Sequence, residues 1–363
     1  MKILHIIDIP WYSAVTAYVL ELSKGLAERG HSVYFACTRD SLPLKFARTN
    51  GFPTVEICSR RNPFIFNSVL KLKSVIEKEA INVVNVHTGT GHFIAYLTSL
   101  ICKRKFVTIR TKSDALYPKK SFLYKTTPKI ITASEFTRKK YLEIGLEPEK
   151  VVTIYQGIDV KIPNSKFQTL PTGRHVPNFR SVGIVGRLDP VKGHKYFLEA
   201  ASIVIKKFPD VKFLVAGKEE NIKYKDLKLL ADNLGIRESV DFFGYVANVF
   251  EFMSKCSIGV VASTGSEAVS RVLIEWMACS KPVIATSVGC MPEILYEECI
   301  ITPRDPESMA TKIRGLLSNP DILKRFGERN KKIIMDGFNQ EKFISRTEKI
   351  YNEAIKNCID QNR

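Results

Sequence analysis

The sequence predicts an α/β chain of two doubly wound halves, each a parallel sheet layered with helices. Three observations lead there. Short β-branched runs alternate with longer amphipathic stretches along nearly the whole chain, the pattern of βα units. The alternation breaks once, over residues 159–180, where Pro163, Pro171, Gly173 and Pro177 interrupt any periodicity, and then restarts. The length, 363 residues, exceeds one ordinary domain and suits two. The first domain is set at residues 1–163, the linker at 164–180 and the second domain at 181–339.

In the first half, strands are expected near residues 2–8, 32–37, 54–57, 82–87, 106–110, 129–133 and 151–155. A helix over 17–29 carries Leu20, Leu22 and Leu26, with Gly30 as its stop. Another, over 68–78, places Val69, Leu72, Val75 and Ile76 at helical spacing. The second half opens with strand 181–185, helix 194–206 and strand 211–216, followed by helix 227–234 and strand 239–243. Strand 257–262, helix 269–279 and strands 282–285 and 299–302 come next. Helices 306–317 and 321–336 follow, and after Gly337 a last amphipathic helix runs over 340–359. Sheets of this kind bind ligands outside the carboxyl ends of their strands.

Composition narrows the function. Hydrophobic residues at 45% and charged residues at 25% fit a globular protein, and no apolar run approaches a membrane span. The eight cysteines are scattered without a C-x-x-C pair, which argues against a zinc ribbon or a redox motif. With a strand-like run at Met1 rather than a leader, they point to a reducing cytoplasm. The net charge of +18 is uneven: residues 1–174 carry +14 and the rest +4. Clusters stand at Lys103-Arg104-Lys105, Lys119-Lys120 and Arg138-Lys139-Lys140. A solvated Lys-rich face explains each cluster but not the asymmetry. The basic half is therefore expected to meet nucleic acid, an anionic glycan or, as a peripheral contact, anionic lipid headgroups. Nucleic acid is disfavoured, because no zinc-finger or RNP-type aromatic signature accompanies the charge.

Two segments carry chemistry. Gly186-Arg187-Leu188-Asp189-Pro190-Val191-Lys192-Gly193-His194 follows a strand and opens a helix, so its backbone N–H groups can face an anion. Arg187 and Lys192 add a fork and a point charge suited to a diphosphate. An unliganded basic turn is the plainer alternative. The second segment runs from Gly265 to Cys279. Small residues before its helix (Ser263, Thr264, Gly265, Ser266, Ala268) permit close approach of a ligand, and the amides of Ala268, Val269 and Ser270 are expected near a helix N-terminus. Glu267 stands at the mouth and Glu275 about two turns into the helix. Glu275 is flanked by Leu273, Ile274, Trp276 and Met277, so it needs a partner, and sugar or ribose hydroxyls are suitable. The plainer alternative is two ordinary helix glutamates.

Together these segments resemble family 4 of the retaining glycosyltransferases. The pattern Glu267-x7-Glu275 is preceded by Gly186-Arg187 and Lys192-Gly193 and followed by Ala278-Cys279-Ser280-Lys281-Pro282-Val283-Ile284-Ala285-Thr286, Gly289 and Pro292-Glu293. The runs Val15–Leu22 and Leu26–Val33, and the stretch Val152–Asp159, extend the likeness over nearly the whole chain. Among members, Arg110-Thr111-Lys112 and Ser266-Glu267-Ala268-Val269 are most similar to bacterial enzymes of lipopolysaccharide core and envelope glycans. The resemblance implies a GT-B fold, two Rossmann-like domains facing a central cleft, with residues 340–363 completing the first, acceptor-side domain. It implies a nucleotide-sugar co-substrate, UDP-linked by family frequency, and a glycan or glycolipid acceptor. Arg187 and Lys192 would hold the donor diphosphate, Glu275 the ribose, and Glu267 the transferred sugar. Gly186, Gly217 and the turn Gly244-Tyr245-Val246 would line the nucleotide. The family uses no cofactor and no metal, and the chain has no D-x-D pair to clamp one. The implied course is front-face attack, the leaving diphosphate taking the acceptor's proton.

The chain departs from the family twice. A Gly-Gly pair usual after the first strand is replaced by Tyr12-Ser13-Ala14, and the family's histidine after the fifth strand is replaced by Ser113. His87, at the end of its strand beside Gly89 and Gly91, is the substitute catalytic candidate, ahead of Asp114 and His92. Two other classes remain open on sequence. One is a UDP-sugar epimerase of the same architecture. The other is a non-catalytic protein that binds anionic glycan or nucleic acid.

Overall fold

A computed structural model of the chain describes residues 1–11, 13–58, 65–158, 180–265 and 267–360. The linker expected at 164–180 lies outside them except for Arg180, as do Tyr12 and Ser266. The chain forms two compact units, Met1–Gly157 with Gln340–Arg363, and Ile158–Asn339.

Unit 1 is built on a parallel sheet of seven strands: β1 (Lys2–Ile7), β2 (Ser32–Thr38), β3 (Thr54–Ile57), β4 (Val83–Val86), β5 (Val107–Lys112), β6 (Ile130–Thr132) and β7 (Val151–Thr153). Their order is β3-β2-β1-β4-β5-β6-β7, so the winding reverses between β1 and β4. Helices α1 (Ala14–Glu28), α2 (Leu42–Thr49), α3 (Ile65–Lys78), α4 (Gly89–Ile101), α5 (Leu123–Thr126) and α6 (Glu135–Glu143) connect them. Helices cover both faces of such a sheet, so its strands read as apolar runs rather than alternating ones. Ile3, Leu4, Ile6 and Ile7 of β1 and Val83, Val84 and Val86 of β4 are all buried. Side-chain caps set the helix starts: Ser13, Ser41, Thr88 and Ser134 accept from backbone N–H groups three residues on. Helices α2, α4 and α6 are not among the elements named from sequence; α4 and α6 are less amphipathic than α1, and α2 is short. Gly89 and Gly91, expected as open space at a strand end, are instead the first turn of α4. A Cβ on Gly91 would lie 2.9 Å from Ile6 Cγ2.

Unit 2 repeats the plan with six parallel strands: β8 (Ser181–Val185), β9 (Lys212–Ala216), β10 (Val240–Gly244), β11 (Ile258–Val261), β12 (Val283–Thr286) and β13 (Ile300–Ile301). Their order is β10-β9-β8-β11-β12-β13, with the reversal between β8 and β11. The helices are α7 (His194–Val204), α8 (Tyr224–Asn233), α9 (Val249–Ser254), α10 (Arg271–Ala278), α11 (Met291–Ile294), α12 (Pro306–Leu317) and α13 (Pro320–Gly337). Trp276 of α10 is fully buried against two strand glycines. A Cβ on Gly259 would lie 2.4 Å from its Cδ2, and one on Gly183 would lie 2.9 Å from its Cη2.

The last helix, α14 (Gln340–Asp360), belongs to unit 1. Arg29 pairs with Glu341 and Glu348, and His31 Nε2 lies 2.8 Å from Glu348 Oε1. Ile344 fills the space above Gly25 of α1, where a Cβ would sit 1.8 Å from Ile344 Cδ1. Phe343 meets Tyr18 edge-on at 5.0 Å.

Under this helix the sheet holds buried polar groups. His5 Nδ1 lies 3.1 Å from His87 Nε2, Thr111 donates to Asn85 Oδ1 at 3.0 Å, and Asn85 bonds the Tyr351 hydroxyl. Burial pushes the His5 imidazole down to about 3. His87 is held well below its ordinary value, by burial first and then by the neighbouring His5 and Arg110 charges. The unfolded chain takes up protons near 6.5 where the folded pair does not, so stability present above that pH is lost as pH falls toward 3. Within that window each imidazole removes about 1.4 kcal/mol per pH unit. The thermal midpoint is therefore expected to fall between pH 6.5 and roughly 5, and a His5→Phe, His87→Leu double variant to flatten that limb. A limb of unchanged slope would place the acid sensitivity elsewhere.

Candidate active site

The carboxyl edge of the unit 2 sheet is paved with glycine. Gly186, Gly217 and Gly244 end β8, β9 and β10 side by side. Gly186 N–H donates to the Ala216 carbonyl at 3.0 Å, and Gly217 N–H to the Gly244 carbonyl at 2.8 Å. A Cβ on Gly217 would lie 1.8 Å from the Gly186 carbonyl oxygen, and Gly244 has a φ of +71°. Glycine at 217, by close approach, and at 244, by its left-handed φ, lets these ends close up, whereas a Cβ at 186 would make ordinary contact with Lys192. Beyond them Tyr245 is exposed and Val246 half-buried.

The turn after β8 is held from within. Asp189 accepts from Val191 N–H at 2.9 Å and from Asn221 Nδ2 at 2.6 Å. Its carboxyl lies below the usual range, by the Val191 amide first. Gly193 has a φ of +73°, and a Cβ there would meet the Ala262 carbonyl oxygen at 2.0 Å. Thr264 N–H then donates to the Val191 carbonyl at 2.8 Å. The turn after β8 and the loop after β11 are thus tied together at the point where the sheet reverses, which is where doubly wound sheets bind ligands.

That tie brings two sequence-predicted residues into contact across 75 positions. Lys192 Nζ lies 2.6 Å from Glu267 Oε1, and Glu267 is only 4% exposed. Ser263, expected only as one of the small residues leaving room before the helix, donates to the same carboxylate oxygen at 2.6 Å. Its own carbonyl accepts from Thr286 Oγ1 at 2.6 Å. The Glu267 backbone is clamped by the segment after β12: Cys290 N–H donates to its carbonyl at 2.9 Å. A Cβ on Gly289 would lie 1.8 Å from that oxygen. Arg187 stands apart from this cluster, exposed and paired with Glu220.

Glu275 is buried, 6% exposed, and Arg271 Nε lies 2.8 Å from its Oε1, one turn back on α10. Burial raises its carboxyl above the usual range, opposed by Arg271. The i, i+4 spacing of Arg271 and Glu275 carried this pairing in the sequence. The predicted helix start needs correction. Helix α10 begins at Arg271 rather than Val269, and Ser270 N–H donates to Cys290 Sγ at 3.3 Å. A thiol therefore already occupies one of the three amides expected to face a ligand. Ala268 is buried and Val269 half-buried.

The family description for group 1 glycosyl transferases matches residues 173–333, and that for glycosyltransferase family 4 matches residues 15–162. An uncharacterized glycosyltransferase of Methanocaldococcus jannaschii is 30% identical over 309 residues, 80% of each chain. The chain belongs to the group 1, family 4 glycosyltransferases. It is also similar to the N-acetyl-alpha-D-glucosaminyl L-malate synthase of Bacillus anthracis, 23% identical over 370 residues and covering 93% of each. Among solved structures it resembles Anabaena HepE in complex with UDP, with a TM-score of 0.85 at 19% identity, covering 97% of this chain and all of that one. The shared architecture is GT-B.

In this glycosyltransferase the N-terminal candidates part company. His87 is 1% exposed and faces His5 in the interior of unit 1. A neutral ring so buried does not reach a substrate, so its candidacy as a catalytic group is withdrawn. His92 is also buried, 2.7 Å from Thr127 Oγ1, and burial pushes it down to about 3. Asp114 pairs with Lys112 at 2.6 Å. Ser13 and Ala14 are the cap and first residue of α1.

Proposed function

We propose that the chain transfers a sugar, with retention and without a metal, from a UDP-sugar to a glycan or glycolipid acceptor of the bacterial envelope, in lipopolysaccharide or related polysaccharide synthesis. The observation that carries the reading is the Lys192–Glu267 contact of 2.6 Å at the reversal point of the unit 2 sheet. A cation beside an anion there matches a sugar diphosphate: the ammonium meets the leaving diphosphate, and the carboxylate accepts from sugar hydroxyls. Arg187, on leaving Glu220, adds a fork to the diphosphate. Glu275 receives the ribose hydroxyls in place of a second partner. The carboxylates bind and do not act as an acid and base pair. The leaving diphosphate takes the acceptor's proton.

UDP-sugars incubated with envelope glycolipid extracts test this directly. Free UDP and a labelled lipid are expected to accumulate together. A changed sugar on an intact UDP-sugar, without release of UDP, would show an epimerase instead.

The acceptor is proposed to lie on the inner membrane face, met by unit 1. Leu116, Tyr117 and Phe122 of unit 1 are exposed and flank the basic pair Lys119-Lys120 in sequence. No helix among the described residues is long and apolar enough to cross a membrane. Binding to vesicles of anionic lipid is expected to weaken as salt rises. Equal binding to neutral vesicles would remove this part of the reading.

A further inference from the structure

The unit 1 sheet has its own reversal point, between β1 and β4. Asp8 and Thr88 follow those strands and are hydrogen-bonded to each other. Beside them, Arg110 of β5 donates from Nη1 to the Val86 carbonyl at 3.1 Å. Arg110 is only 5% exposed, yet among the described residues no carboxylate comes within the 4.0 Å of an ion pair with its guanidinium. Asp8 acts on it through space without contact. Lys112, two positions on and therefore on the same face of the strand, is buried and paired with Asp114 at 2.6 Å.

A guanidinium withdrawn from water without a counter-ion in contact is costly, and a fold that keeps one has a use for it. Its place says which. Arg110 lies within β5, level with Val86 at the carboxyl end of β4, beside the reversal point where doubly wound sheets hold ligands. Its planar fork fits an anion with two equivalent oxygens. The donor diphosphate has its own cations, Lys192 and Arg187, in unit 2. We propose that Arg110, with Lys112 beside it, receives an anionic group of the acceptor, a carboxylate or a phosphate monoester. This rests on the transferase reading for assigning the anion to the acceptor. The anion site itself stands on the geometry of unit 1.

The test uses the full chain and simple anions. Thermal midpoints are read in rising inorganic phosphate and in rising succinate, against sodium chloride at matched ionic strength. Wild type, Arg110→Met and Lys192→Ala are compared, and UDP is titrated separately. Wild type and Lys192→Ala are expected to respond to at least one anion, and Arg110→Met to need at least tenfold more of it. A response to phosphate alone identifies a phosphate monoester, and a response to succinate a carboxylate. If Arg110→Met does not fold, Arg110→Lys decides, with an expected loss of at least threefold. The proposal is overturned by no response in wild type, or by a response lost in Lys192→Ala and kept in Arg110→Met. It is also overturned if Arg110→Met melts lower in chloride but keeps the wild-type response, since Arg110 would then only strap β5 to the Val86 carbonyl. An anion response without UDP binding keeps this site and removes the donor reading, and UDP binding without an anion response does the reverse.

Discussion

Replacing Lys192 with alanine is expected to lower the rate of sugar transfer roughly a hundred- to a thousandfold, the usual effect of removing one preorganised group from developing negative charge. In the proposed transfer the bond that breaks leaves its electrons on the diphosphate, and Lys192 Nζ is an ammonium held at the reversal point of the unit 2 sheet. Its position is fixed from three sides. Asp189 shapes the turn through the Val191 amide, Gly193 allows contact with the Ala262 carbonyl, and Glu267 holds the ammonium at 2.6 Å. The substitution also leaves Glu267, nearly buried, with Ser263 as its remaining side-chain partner. Some loss of stability is therefore expected together with the loss of rate. A Glu267→Gln, Lys192→Ala double variant separates the two, because it removes the stranded charge without restoring the cation. Single-turnover release of UDP from a UDP-sugar reads the rate. Turnover within threefold of wild type in Lys192→Ala would show that the diphosphate lies elsewhere.

Glu275→Gln is expected to weaken UDP binding about ten- to a hundredfold, since hydrogen bonds to a charged group contribute about 1.5–3 kcal/mol each. The pH dependence carries a second signature. Burial raises the Glu275 carboxyl above 4.5, so the folded protein binds the proton more tightly than the unfolded chain. Its contribution to the stability of the unliganded protein is therefore largest at low pH. That contribution falls as pH rises through the window from 4.5 to the raised value. With the proposed ribose contact, UDP binding is expected to run the other way over the same window, because hydroxyls donate to the ionised form. Calorimetric titration of UDP from acid to neutral pH is expected to show affinity rising through that window in wild type and a flatter, weaker profile in Glu275→Gln. Parallel profiles would mean that Glu275 serves Arg271 and the helix rather than the nucleotide.

The strands were legible because a sheet covered on both faces writes itself as short apolar runs. β3 and β8 fall where the runs place them, and other strands shift by a residue or two at their ends. Helix α4 was not, because Gly89-Thr90-Gly91 reads as a loop when the Thr88 cap and the contact with Ile6 are unseen. The site residues were legible one by one and their contacts were not. Lys192 and Glu267 stand out as a basic turn and an acidic helix mouth, but their meeting depends on the fold of β8 beside β11. Ser263 reads in sequence only as a small residue leaving room, and Cys290 gives no signal at all; their contacts with Glu267 and Ser270 come from loop geometry. His87 misled because a histidine at a strand end looks the same in sequence whether it faces solvent or, as here, a second buried imidazole.

Nucleotide-dependent thermal stability reports on the proposed donor site in unit 2. UDP, GDP, ADP and CMP are each added at about a hundredfold over an expected Kd, where a true site contributes about 2.7 kcal/mol. UDP is expected to raise the midpoint of wild type and to leave those of Lys192→Ala and Glu275→Ala unmoved. A midpoint unmoved by every nucleotide, or a UDP response that survives in both variants, would contradict that site.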